Sequence, residues 1–197
     1  MTLTPGLHAV PQGYLAAVVT SLEMTTRVKS DAKPFPAGFG ATRERLSAYD
    51  YQWLFREIGA PWLWASRLTM DEDALNAILT DQNVETWVIR QANAAIGLVE
   101  LDFRTASVCE LAFFGLISSA TGQGLGWPMM ALAQDQAFAR PINRFHVHTC
   151  TLDSPHALGF YQNAGFVAHK RDVEIFHDPR INETLPSSSA AHIPCLK

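Results

Sequence analysis

Leu116-Ile117-Ser118-Ser119-Ala120-Thr121-Gly122-Gln123-Gly124-Leu125-Gly126-Trp127-Pro128-Met129-Met130 runs from an apolar, strand-like stretch into an amphipathic helix. Its alternating glycines expose backbone N–H groups where the helix begins, and unpaired amides together with the helix dipole favour an anion such as phosphate. Without a Cβ the turn also lets a ligand approach closely. Pro128, in the first helical turn, gives up no donor that the helix needs. A Walker loop would require Lys and then Ser or Thr after the last glycine, where Trp127-Pro128 stands, so that reading is excluded. A dinucleotide fingerprint would place its third glycine after two intervening residues and would open a βαβ unit, and neither condition is met. A tight strand-to-helix turn that holds no ligand is the plain alternative.

Working outward, residues 86–90, 96–103 and 109–116 are rich in β-branched, aromatic and leucine side chains, which predicts three consecutive strands in a meander. Beyond the glycine turn the pattern predicts a helix over 125–139, a strand over 144–151, a helix over 155–164 and a last strand over 167–176. Upstream, residues 14–20 read as a first strand. A breaker-rich loop follows, with Lys33-Pro34-Phe35-Pro36-Ala37-Gly38 and then Gly40, and it is a candidate lid. Residues 46–58 read as a helix, and Thr69-Met70-Asp71-Glu72 reads as a capping box opening a second helix through Leu79. The chain up to residue 80 is therefore expected to be mainly α. The ends, about 1–12 and 181–197, read as tails. The expectation is one mixed α/β domain over 1–197 without internal repeats.

The composition limits the partners. With 48% hydrophobic and 17% charged residues among 197, the chain can bury a sizeable core. A formal charge of -4 offers no global basic field for a nucleic-acid backbone, so an anionic ligand must be bound locally. Cys109, Cys150 and Cys195 are too few and too scattered for a disulfide framework, which fits a reducing compartment. No Lys or Arg precedes Arg27, and no apolar run approaches the roughly 18 residues of a membrane span. A soluble, cytoplasmic protein without membrane or nucleic-acid partners is expected.

A second constellation is Asp153-Ser154-Pro155-His156-Ala157-Leu158-Gly159-Phe160-Tyr161-Gln162-Asn163-Ala164-Gly165-Phe166. Together with the glycine turn it resembles the GNAT superfamily of acetyl-CoA-dependent N-acetyltransferases. Gly124 and Gly126 match the family's Arg/Gln-x-x-Gly-x-Gly/Ala motif, with Thr121 in the Arg/Gln place. Ala157, Tyr161, Gly165 and Phe166 match the second motif, with Ser154 where Asn is usual. The resemblance spans roughly residues 86–176. It implies a mixed, mostly antiparallel central sheet flanked by helices, whose splayed strands form the coenzyme A site. By that resemblance, Leu116 offers backbone hydrogen bonds to the pantetheine arm. Thr121 and Gly122 open the turn, and Gln123, Gly124, Leu125, Gly126 and Trp127 hold the phosphates. A homodimer is an open alternative to a monomer.

Acetyl transfer to an amine needs a neutral nucleophile, a polarised thioester carbonyl and a proton for the departing thiolate. Tyr161 matches the family's general acid; the competing reading is a core tyrosine. Glu110, on the strand leading to the turn, is the candidate base, and an exposed carboxylate paired with an arginine is its competitor. His146, His148 and Cys150 alternate on one strand face, without the converging set that a zinc site needs, so no metal is expected. His148 is an alternative base or an acceptor-pocket residue. Asp153 and Ser154 are candidate cofactor contacts, while Ser154-Pro155 also suits an N-cap followed by proline at the first helical position. Tyr49, Trp53, Trp62 and Trp64 form either core or a wall for an apolar or aromatic amine.

The resulting expectation is transfer from acetyl-CoA to a small-molecule amine or peptide acceptor by direct attack in a ternary complex. Its rivals are a non-catalytic acyl-CoA-binding or regulatory module and a nucleotide-binding domain stabilised by ATP or NADH.

Overall fold

The computed structural model describes residues 3–28 and 34–196. Its elements are β1 (Tyr14–Met24), β2 (Phe39–Arg43), α1 (Ala48–Gly59), α2 (Glu72–Leu79), β3 (Val84–Gln91), β4 (Ala94–Asp102), β5 (Val108–Leu116), α3 (Gly126–Phe138), β6 (Arg144–Cys150), α4 (Ala157–Asn163) and β7 (Val167–His177). The strands form one seven-stranded sheet in the order β2-β3-β4-β5-β6-β1-β7. Every pairing is antiparallel except β5 with β6.

The alternating residues of β3 and β4 feed two cores. Val88 and Leu98 face α1 and α2, where Tyr51, Leu54, Phe55 and Leu75 are fully buried. Ile89, Val99 and Leu101 face the opposite way and join Met129 and Ala133 of α3 and Phe166 after α4. Residue period two on the strands and a helical stripe on each helix therefore produce a sheet covered on both faces.

Several boundaries differ from the sequence reading. The region before residue 80 is not mainly α: β1 runs on to Met24, and Phe39–Arg43, expected as loop, is an edge strand paired with β3. Lys33 of the candidate lid lies outside the described residues. Helix α2 is capped by Asp71, whose side chain accepts from the Ala74 N–H at 2.7 Å, while Thr69 instead donates to the Ser66 carbonyl. Helix α4 starts at Ala157 with His156 at its N-cap, so Ser154-Pro155 forms the preceding turn.

The expected C-terminal tail packs against the sheet. Leu185 and Ala190 share a core with Leu15 and Ala17 of β1, Leu63 and Leu152. Arg180 organises the segment: Nη2 donates to Asp178 at 2.7 Å, and Nη1 donates to the carbonyls of Ser189, Ala190 and Ile193. Both charged side chains are 2% exposed. The Gly13 N–H in turn donates to the Leu196 carbonyl at 3.2 Å.

Candidate active site

β5 and β6 pair only over Val108–Glu110 with Arg144–His146 and then diverge. The sheet therefore opens in a wedge towards the C-terminal ends of two parallel strands, the place where open α/β sheets receive ligands. A register shift opposite Glu100 and Leu101 marks a bulge at Ala112. It lets Leu111 face α3 and Phe113 face α1, so that residues 111–114 all border the opening.

At one end of the wedge lies the glycine turn. Gly122 and Gly124 adopt φ of +76° and +77°, the left-handed conformation that glycine enters without a Cβ penalty. A Cβ at either position would meet nothing within 4 Å, so both open to free space. Among the described residues no backbone acceptor takes the N–H groups of 122–127. The side chains do other work: Thr121 donates to the Ser118 carbonyl at 2.7 Å and Gln123 to the Ser119 carbonyl at 2.9 Å. Leu125 is buried, and Trp127 is 43% exposed and packs on Phe160 with ring centroids 5.0 Å apart. The backbone therefore suits a diphosphate, with Trp127 as a flanking aromatic surface. Leu116 ends β5 beside this turn, and its side chain would touch any Cβ placed on Gly97.

At the other end is a cavity of about 550 Å³, bordered by β5, β6, α4, β7, residues 62–66 and the C-terminal segment through Pro179 and Asn182. Tyr161 lies in its wall with 8% exposure, among Phe114, Phe160 and Phe166, and burial pushes its phenol well above the ordinary value. His148 borders the cavity, whereas Glu110 does not; it borders a separate 280 Å³ polar recess with His146, Asp102 and Arg104. His148 Nδ1 is 3.5 Å from Glu110 Oε1. That contact raises the imidazole pKa and lowers the carboxyl pKa, while burial lowers that of His146. Among the described residues no group of three His, Cys, Asp or Glu side chains could hold a metal ion.

Asp153, expected near the cofactor, is engaged by the protein itself. It accepts from Trp64 Nε1 at 3.2 Å, from Thr149 Oγ1 at 2.8 Å and from the Cys150 N–H at 2.9 Å. Ser154 Oγ accepts from the His156 N–H at 3.4 Å, a contact within the turn. Of the four expected wall aromatics, Trp62 and Trp64 border the cavity, while Tyr49 and Trp53 are 79% and 47% exposed on α1. Trp64 is tightly seated: a Cβ on Gly59 would meet its Cβ at 2.5 Å, and a Cβ on Gly115 would meet its ring at 3.3 Å. Leu63, at φ 59°, turns the chain between the two tryptophans and buries its own side chain. Phe113, Glu174 and Phe176 also border the cavity and carried no motif; only tertiary pairing brings them there.

Among the described residues no helix is long and apolar enough to cross a membrane. A GCN5-related N-acetyltransferase from Sphaerobacter thermophilus has a similar fold, with 14% identity, a TM-score of 0.60 and coverage of 84% of this chain and 53% of that one. A GCN5-related N-acetyltransferase from Kribbella flavida gives 20% identity, a TM-score of 0.55 and coverage of 87% and 63%. The chain thus spans between half and two thirds of these two proteins. An aminoglycoside acetyltransferase from an uncultured soil metagenomic sample gives 15% identity, a TM-score of 0.57 and coverage of 71% and 95%. No curated protein matches the chain in sequence. The acetyltransferase (GNAT) family matches residues 46–166, a span that takes in the wedge, the glycine turn and α4, and the chain belongs to that family.

Proposed function

We propose that the protein transfers an acetyl group from acetyl-CoA to a primary amine by direct attack in a ternary complex, in a cytoplasmic setting. The observation that carries this reading is the wedge itself, with unclaimed backbone donors at 122–127 on one side and a Tyr161- and His148-bordered cavity on the other. Acetyl-CoA supplies an activated acyl carbon on a thiolate leaving group. The amides of 122–127 hold its diphosphate, and the unpaired edge of β5 up to Leu116 aligns the pantetheine arm as an added strand.

Of the two candidate bases, Glu110 and His148, we take His148 as the one that meets the amine. His148 faces the cavity, so its Nε2 takes the proton of the incoming ammonium while Nδ1–H is turned to Glu110, which positions the ring and stabilises its cation. The amine nitrogen then bonds to the acyl carbon as the carbon–sulfur bond breaks. Tyr161 gives its phenolic proton to the sulfur and is reprotonated at the expense of the second amine proton. One proton leaves through His148 to solvent, so ammonium and thioester become amide, thiol and a released proton.

Thiol release should appear when acetyl-CoA and a panel of amines are mixed with the protein, and calorimetry should register coenzyme A. Binding without release across a broad panel would favour a non-catalytic acyl-CoA module. Stabilisation by ATP or NADH and none by coenzyme A would overturn the assignment.

A further inference from the structure

The amine itself can be narrowed, an argument that rests on the transfer reading above. Among the described residues no lysine or arginine borders the cavity. Of its two carboxylates, Asp153 is occupied by three protein donors, whereas Glu174 on β7 is exposed and makes no hydrogen bond or ion pair with another described residue. Much of the rest is aromatic: Trp62, Trp64, Phe113, Phe114 and Phe176. This wall is formed in advance, because Phe113 packs edge-on against the buried Phe55 at 4.7 Å and Trp64 lies 5.4 Å from Phe113.

Each class of amine meets this lining differently. The α-carboxylate of an amino acid would lose water, would meet no lysine or arginine among the described residues and would lie near two carboxylates, while the His148 ring is already turned to Glu110. A polycationic aminosugar would bring several ammonium groups and many hydroxyls to one open carboxylate and an apolar wall. An amine with an apolar body matches both parts, since its ring or branch covers the aromatic wall and its one positive charge meets Glu174. We infer that the acceptor is a compact monoamine with an aromatic or branched apolar body and no carboxylate, and that Glu174 is its specificity-determining residue.

Phenethylamine and phenylalanine differ by one carboxylate and make the test. Each is titrated calorimetrically into the full chain saturated with coenzyme A, and thiol release is measured separately with acetyl-CoA. Phenethylamine should be favoured by at least about tenfold in both Kd and kcat/KM, the scale of one unpaired charge. Glu174→Gln should remove most of the phenethylamine affinity, and Glu174→Lys should shift the preference towards phenylalanine. Because Glu174 is exposed on an edge strand, both variants should fold. Equal or reversed preference, or no binding of either compound, overturns the inference. Transfer to phenylalanine at equal efficiency overturns it while leaving acetyl transfer intact. The expected binding preference without any thiol release upholds the ligand class and refutes the transfer.

Discussion

Tyr161 is held in an aromatic setting that keeps its phenol protonated far above neutral pH, so it can serve as a proton donor and not as a base. Tyr161→Phe keeps the ring packing and removes only the hydroxyl. Turnover should fall by about a hundredfold with coenzyme A affinity unchanged by calorimetry, and an unaltered rate would exclude Tyr161 from the chemistry. For the His148–Glu110 pair the sign is definite. Glu110 raises the His148 pKa, so Glu110→Gln should lower it and move the acid limb of the rate profile to lower pH, in step with the His148 ring signals in NMR titration. In stability terms, the raised imidazole contributes below its unfolded pKa and loses that contribution as pH rises through the folded value. The depressed carboxyl contributes above its unfolded pKa and loses it as pH falls through its folded value. The shared window lies between the two folded values, and the contribution is small because the side chains are 55% and 33% exposed. The place of Tyr161 on α4, in the cavity wall, was legible because a local motif frames it. The Trp64–Asp153 bond was not, since it joins residues 89 apart through folding alone.

Among the elements, the geometry of the glycine turn was legible because its parts are local: bare amides, left-handed backbone and helix start all lie within a few residues. Gly124→Ala places a Cβ on a residue at φ +77°. Stability should fall by about 1 kcal/mol from strain alone, and coenzyme A affinity should fall further, as calorimetry beside denaturant unfolding would show. Retained affinity would show that the turn does not hold the cofactor. β2 escaped notice because a five-residue edge strand containing Gly40 has little pattern of its own and forms only through its ladder with β3. The bulge at Ala112 was equally hidden: one inserted residue looks like ordinary strand sequence, yet it sends Leu111 and Phe113 to opposite faces. The start of α4 was misplaced because Ser-Pro suits both a cap and the turn before one, and the structure takes the turn.

Across the whole molecule, the sheet divides at the wedge into β2-β3-β4-β5 and β6-β1-β7, and the second part draws on both ends of the chain. The family match begins at residue 46, so β1, which pairs with both β6 and β7, lies outside it. Local patterning identified these strands but carried no information about which neighbours they would choose. The final segment depends on Arg180. Arg180→Ala would leave the Asp178 carboxylate and the carbonyls of Ser189, Ala190, Ile193 and Pro194 without their shared donor in a site 2% exposed. Denaturant unfolding should register a loss of about 3–5 kcal/mol, and the cavity wall at Pro179 and Asn182 should loosen with it. A loss below about 0.5 kcal/mol, the range of ordinary surface changes, would mean that the clamp is dispensable.

The hydrogen bond from Gly13 to Leu196 brings the flanks of β1 and of the final segment side by side. A circularly permuted gene, with these ends bridged by a few residues and new termini cut between β1 and β2, would therefore encode β1 as the last strand and keep every ladder of the sheet.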